Sequence, residues 1–199
     1  MRHTGTRGDI LRQLLQEHPD VATALENSKR IPGQIAPHQA AALYVLAGQY
    51  NRRGAHVLEI GTFHGYSASI IAQAAPLAEI VTLNPSAKEA TLAIKNLAPW
   101  PNVTVGTAAS WDYMEGYRSP RLDMIFVDGD HKHIWRDMPW WAWVEEGGLM
   151  LFHDYSPRLC RPVYAAVGRL GEMLGREPDV LVMDDDGLGM AGFYRQPED

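Results

Sequence analysis

The chain has 199 residues, of which 46% are apolar, and its formal net charge is −6 at pH 7. A chain of this size can bury one substantial core, and an acidic balance argues against a surface that follows nucleic-acid phosphates. The single cysteine, Cys160, excludes an internal disulfide, and no segment approaches the roughly 20 apolar residues of a membrane span. These features predict a cytoplasmic protein that binds neither nucleic acid nor a membrane.

Hydrophobic periodicity predicts two helical segments and then an alternation of strands and helices. The first helices are Asp9–Leu25, interrupted at Pro19, and His38–Gln49. Seven strands follow, at His56–Ile60, Glu79–Leu83, Val103–Val105, Leu122–Val127, Leu149–Phe152, Val180–Val182 and Gly189–Tyr194. The helices between them are predicted at Tyr66–Ala74, Ala87–Leu97, Ala109–Gly116, Trp135–Glu145 and Val163–Leu174. This alternation predicts a parallel sheet covered on both faces, with ligands at the carboxyl ends of its strands.

The most informative segment is VLEIGTFHGYSA, residues 57–68. An apolar strand ends in a glycine loop, and small residues then open a helix whose N-terminal amides point into the same crevice. Gly61 and Gly65 allow a sharp turn and a close approach to a ligand. A short glycine loop alone is a weak signal, because many α/β proteins use one only to turn from strand to helix.

Two further strands end in groups that can hold a metal or move a proton. The segment LDMIFVDGDHKH (122–133) ends in Asp128, Asp130 and His131, and GGLMLFHDY (147–155) ends in His153 and Asp154. Carboxylates and imidazoles suit a divalent cation, and a histidine can take a proton near neutral pH. The alternative is that Asp130 caps a helix, Asp154 caps a loop, and the histidines are polar surface.

These three motifs, in this order, resemble those of the class I S-adenosylmethionine-dependent methyltransferases. The closest likeness is to small O-methyltransferases of the catechol and antibiotic or sugar type. The resemblance implies S-adenosylmethionine as the cofactor and a divalent cation, Mg²⁺ or Mn²⁺, as an optional one. It implies cofactor contacts at Glu59, Gly61, Thr62, Phe63, Gly65, Ser67, Asn84, Ala108, Ala109 and Asp128. It also implies His131 as catalytic base, Asp128 and Asp154 as catalytic-site acids that orient the substrate, and Asp128, His153 and Asp154 as metal ligands.

The sequence departs from the family pattern at three positions. Phe63 stands where many methyltransferases have a glycine, although the catechol group also carries an aromatic residue there. His153 replaces a usual acid, which leaves the presence and identity of a metal open. Asn84 stands where the family places an acid that binds both ribose hydroxyls, and loss of the charge weakens such bonds. If the ribose lies there, Asn84→Asp should tighten cofactor binding.

Together these observations predict a Rossmann-like, seven-stranded class I methyltransferase fold. A helical cap over residues 1–50 would precede a methyltransferase domain over residues 51–199, within one globular unit. The expected activity is O-methylation of a small hydroxylated acceptor. The alternative is a non-catalytic binding or assembly protein built on the same fold. Four tryptophans between residues 135 and 143 indicate core or subunit-interface packing, which leaves a homo-oligomer open.

Overall fold

The computed structural model describes residues 1–33 and 35–199, and Gln34 lies outside the described residues. One eight-stranded sheet runs through the molecule in the order β1-β7-β8-β6-β5-β2-β3-β4. Its strands are β1 (Arg2–Gly5), β2 (His56–Ile60), β3 (Glu79–Leu83), β4 (Val103–Gly106), β5 (Leu122–Val127), β6 (Val144–Tyr155), β7 (Val180–Asp184) and β8 (Gly189–Tyr194). β2, β3, β4, β5 and β6 are parallel, and β8 lies antiparallel between β6 and β7.

Helices cover both faces of this sheet. They are α1 (Arg7–Glu17), α2 (Asp20–Ser28), α3 (Pro37–Gly48), α4 (Tyr66–Ala74), α5 (Ala87–Leu97), α6 (Ser110–Gly116) and α7 (Arg161–Leu174). The first four helices share a core with Val57, Met124 and Leu149 on one face of the sheet. Helix α7 shares a second core with Leu58 and Ile125 on the other face. This layering confirms the predicted Rossmann-like class, and in the described residues no helix has the length and apolarity to cross a bilayer.

Two predicted elements need correction. Residues Arg2–Gly5 form an eighth strand, parallel to β7, although they were assigned to the helical cap. This short, largely exposed segment has no hydrophobic pattern, so only its pairing with the sheet edge defines it. The helix predicted at Trp135–Glu145 is instead two short 3₁₀ helices, His131–Arg136 and Met138–Trp143, followed by β6. Val144 pairs with Leu122 of β5, so the last residues of the predicted helix belong to strand β6 instead.

Candidate active site

The glycine loop connects β2 to α4 at the carboxyl edge of the sheet. Gly61 has φ +105°, and a Cβ there would lie 2.1 Å from the backbone oxygen of Asp128. Only glycine therefore allows the ends of β2 and β5 to approach each other this closely. The amides of Gly61 and Thr62 both donate to the carbonyl of Leu83, and the amide of Gly65 donates to the carbonyl of Thr62. Because these amides are used within the protein, the loop does not offer them as a phosphate cradle.

A cavity of about 260 Å³ opens beside this loop, where β2, β3 and β5 end. Six of the residues predicted to contact a cofactor line it: Gly61, Thr62, Phe63, Ser67, Asn84 and Asp128. The other four, Glu59, Gly65, Ala108 and Ala109, are not among its lining residues. The remaining wall consists of Pro32, Gly33, Ile35, Tyr66, Pro85, Glu89, Gly129 and Asp130. Sequence reasoning did not assign Tyr66, Pro85, Glu89, Gly129 or Asp130 to a cofactor site.

The described lining of the cavity is acidic. It includes the carboxylates of Glu89, Asp128 and Asp130, and it contains no lysine, arginine or histidine. Such a surface favours a ligand with positive charge and hydroxyl groups, and it disfavours one with phosphates. A sulfonium nucleoside carries that positive charge, so the residues present fit S-adenosylmethionine. A dinucleotide does not suit this wall, because its pyrophosphate would face three carboxylates.

Glu59 lies at the base of the loop and is fully buried. The Thr82 hydroxyl donates to its Oε2, whereas Oε1 has no hydrogen-bond partner among the described residues. Burial raises the pKa of Glu59 to about 7, because the charged form loses its hydration. This carboxyl therefore keeps its proton to a higher pH than an exposed glutamate does.

The acids and imidazoles at the ends of β5 and β6 form one cluster. His131 Nε2 lies 3.2 Å from Asp154 Oδ2, and His153 Nδ1 lies 2.9 Å from Asp128 Oδ1 and 3.4 Å from Asp154 Oδ2. The structure thus brings together four of the five polar side chains that the sequence places at these two strand ends. Asp128 lies in this cluster and also lines the cavity, so the two features form one continuous site.

His153 is held from both sides of its ring. Its Nδ1 faces Asp128, and its Nε2 lies 3.2 Å from Oε1 of Gln39 in helix α3. The same Gln39 oxygen accepts from the amide of Ala36, so it acts as an acceptor toward His153 as well. Burial works to lower the pKa of His153, but the carboxylates of Asp128 and Asp154 outweigh it and raise that pKa to about 10. Sequence reasoning did not predict the contact between Gln39 and His153, because a glutamine inside an apolar helix gives no signal of its own.

The other two members of the cluster are also coupled electrostatically. The Asp154 carboxylate raises the pKa of His131 above its ordinary value. Burial works to raise the pKa of Asp154, but the imidazoles of His131 and His153 outweigh it and lower that pKa. Asp130 stands slightly apart, because it caps the following 3₁₀ helix through the amide of Lys132. This is the structural role that the sequence left open for it.

One set of side chains in the cluster has the spacing of a metal site. Ligand atoms of Asp128, His131 and Asp154 all lie within 4.8 Å of one another. Two carboxylates and an imidazole suit a divalent cation of the Mg²⁺ or Mn²⁺ type. The structure places His131 in this set rather than His153, because both ring nitrogens of His153 are already hydrogen-bonded. The cluster can therefore either accept a proton at His131 or use that imidazole to help hold a cation.

Comparisons with known proteins agree with this architecture. A family described as "Methyltransferase domain" matches residues 58–155, which contain the glycine loop and both polar strand ends. No curated protein matches the chain. The chain is similar to a structure from Klebsiella pneumoniae that is provisionally assigned as an O-methyltransferase, with 24% identity, a TM-score of 0.68 and coverage of 93% of this chain and 95% of that one.

Two ligand-bound structures are also similar. One is an O-methyltransferase from Bacillus cereus in complex with S-adenosylhomocysteine, with 23% identity, a TM-score of 0.65 and coverage of 94% of this chain and 91% of that one. The other is an O-methyltransferase from Streptomyces achromogenes involved in tomaymycin synthesis, in complex with S-adenosylmethionine. Its identity is 22% and its TM-score 0.65, and the match covers 89% of this chain and 88% of that one. The resemblance to class I methyltransferases is confirmed, since residues 58–155 match the methyltransferase-domain family and the fold matches those of these structures.

Proposed function

We propose that this protein transfers a methyl group from S-adenosylmethionine to a hydroxyl oxygen of a small metabolite. The observation that carries the proposal is the double position of Asp128, which lines the acidic cavity and belongs to the acid–imidazole cluster. A donor in the cavity and an acceptor at the cluster would therefore be neighbours. Holding two reactants side by side in line supplies much of the rate of such a transfer.

The cofactor would be held by the residues of the cavity. Gly61, Thr62 and Ser67 would surround its amino-acid portion, and the carboxylates of the wall would face its positive charge. When bound, the cofactor supplies an electrophilic methyl group. The buried, uncharged form of Glu59 would support the loop from below, consistent with the raised pKa of that carboxyl.

On the acceptor side, His131 is the proposed base. Its Nδ1 would take the proton of the acceptor hydroxyl, because its Nε2 is buried 3.2 Å from Asp154, whose carboxylate would stabilise the imidazolium that forms. His153 keeps the two carboxylates in place, because it contacts both of them. In this arrangement the acceptor oxygen becomes negatively charged only as its proton moves to His131.

A divalent cation is the second element of the proposal. Asp128, His131 and Asp154 would hold it, and it would lower the pKa of a bound hydroxyl. His131 would then serve as a ligand instead of a base. Assays after EDTA treatment, with and without added Mg²⁺ or Mn²⁺, separate the two arrangements: activity that survives EDTA assigns His131 as the base.

The decisive experiment is titration calorimetry with S-adenosylmethionine and S-adenosylhomocysteine, followed by methyl-transfer assays on a panel of catechols, phenols and hydroxylated sugars. We expect His131→Ala to lower turnover by about 10² to 10⁴ with cofactor affinity unchanged. The matched control is His133→Ala, because His133 is exposed and contacts Asp130 rather than the cluster. If neither cofactor form binds at millimolar concentration, the non-catalytic alternative replaces this proposal.

A further inference from the structure

The side chain of Asn84 is already engaged within its own loop. Its Oδ1 accepts a hydrogen bond from the amide of Ser86 at 2.9 Å, and its Nδ2 donates to Oε2 of Glu89 at 3.1 Å. The residue is 5% exposed. Asn84 therefore stabilises the turn between β3 and α5, in the manner usual for asparagine in turns, and its oxygen is not free to receive two hydroxyl groups.

Glu89 lies on the first turn of α5 and is half-buried in the wall of the same cavity. Two hydrogen bonds fix its position. Its backbone amide donates to the Ser86 hydroxyl, and Asn84 Nδ2 donates to its carboxylate. In the described residues its Oε2 receives that one hydrogen bond, and its Oε1 receives none from a side chain. Glu89 thus presents to the cavity a carboxylate that is oriented by the protein and still has acceptor capacity.

We propose that Glu89 binds the ribose diol of the cofactor, with Asn84 as the residue that positions it. The inference rests on the proposed function, because it identifies how the same cavity would recognise its nucleoside. A carboxylate accepts hydrogen bonds from two vicinal hydroxyls, and these charge-assisted bonds are stronger than those to an amide. The carboxylate that the family places at the end of this strand would thus be supplied by Glu89, on the first turn of the next helix.

This arrangement also explains why position 84 is not an acid. An aspartate there would place a second carboxylate about 3 Å from Glu89, and the two negative charges would repel each other. Asparagine removes the repulsion and supplies a donor to Glu89 instead. The expectation for Asn84→Asp is therefore reversed: the substitution should weaken binding of a ribose-containing ligand rather than tighten it.

Calorimetry with two ligands tests the proposal: S-adenosylhomocysteine and its analogue lacking the 2′ and 3′ hydroxyls. Glu89→Gln should weaken binding of S-adenosylhomocysteine at least tenfold and that of the dideoxy analogue less than twofold. Glu115→Gln, an exposed change of the same charge on α6, is the matched control and should alter neither affinity. Thermal unfolding of each variant verifies that the fold is intact.

The outcomes separate the two proposals. If the wild type does not bind S-adenosylhomocysteine, the proposed function fails before Glu89 is tested. If the wild type binds and Glu89→Gln has no effect, or weakens both ligands equally, the diol contact is refuted. Tighter binding by Asn84→Asp would also refute it, because the ribose would then lie at position 84.

Discussion

Replacing Glu59 by glutamine should remove a pH-dependent loss of stability. Burial raises the pKa of this carboxyl from 4.5 to about 7, so between these values the native state keeps a proton that the unfolded state has lost. The native state is then favoured at low pH, and its free energy of unfolding falls as pH rises toward 7. One pKa unit corresponds to about 1.4 kcal/mol, so the full interval amounts to about 3 kcal/mol. Glutamine is neutral in both states and escapes this loss.

Urea denaturation at a series of pH values between 5 and 8 measures the effect. Relative to the wild type, Glu59→Gln should gain about 2 to 3 kcal/mol across this range, with the change concentrated below pH 7. Taking the difference between the two proteins cancels other titrating groups, including Asp137, whose pKa burial raises to about 6. Glu26→Gln, on an exposed side chain, is the control and should follow the wild type. If the Glu59→Gln and wild-type curves run parallel, Glu59 is not a buried carboxyl with a raised pKa.

Two substitutions test the packing that builds the site. Gly61→Ala should destabilise the fold by about 3 kcal/mol, because φ is positive there and the new Cβ would clash with the backbone of Asp128. Gly54 also has a positive φ but has open space around it, so Gly54→Ala should cost about 1 kcal/mol. Equal losses for the two variants would show that the close approach of β2 and β5 is not needed. Trp140→Ala should cost about 3 to 5 kcal/mol, because the ring is fully buried, whereas Trp135→Ala should change the free energy of unfolding by less than about 0.5 kcal/mol. Comparable effects for the two tryptophans would contradict the assignment of Trp140 to the core.

The elements that position the cavity were predictable because local signals and tertiary demands agree there. The small and apolar residues that follow the glycine loop predict a helix at Tyr66–Ala74, and these are the bounds of α4. The strand at Leu122–Val127 contains the continuous apolar run Met124–Val127, as expected for a strand buried on both faces, and it too has the predicted bounds. In such segments each local preference points to the same structure as the global fold.

What the sequence could not indicate depends on partners that are distant in the chain. Gln39 meets His153 across 114 positions, and no spacing rule links two such residues. The contact between Asn84 and Glu89 is local, yet the family resemblance implies a ribose contact at position 84 alone. Trp135–Glu145 contains Pro139 and a fully buried Trp140, so packing and strand pairing overrode the helical spacing of its tryptophans.

Two residues of the candidate site have a strained backbone conformation. In the described chain, the non-glycine residues with positive φ are Phe63, at 45°, and Asp154, at 54°. Such conformations cost on the order of 1 to 3 kcal/mol each and persist only where surrounding structure enforces them. Phe63 lines the cavity, and Asp154 contacts both His131 and His153. Both strained residues thus lie where the donor and the acceptor of the proposed methyl transfer would meet, as expected if this geometry serves the reaction.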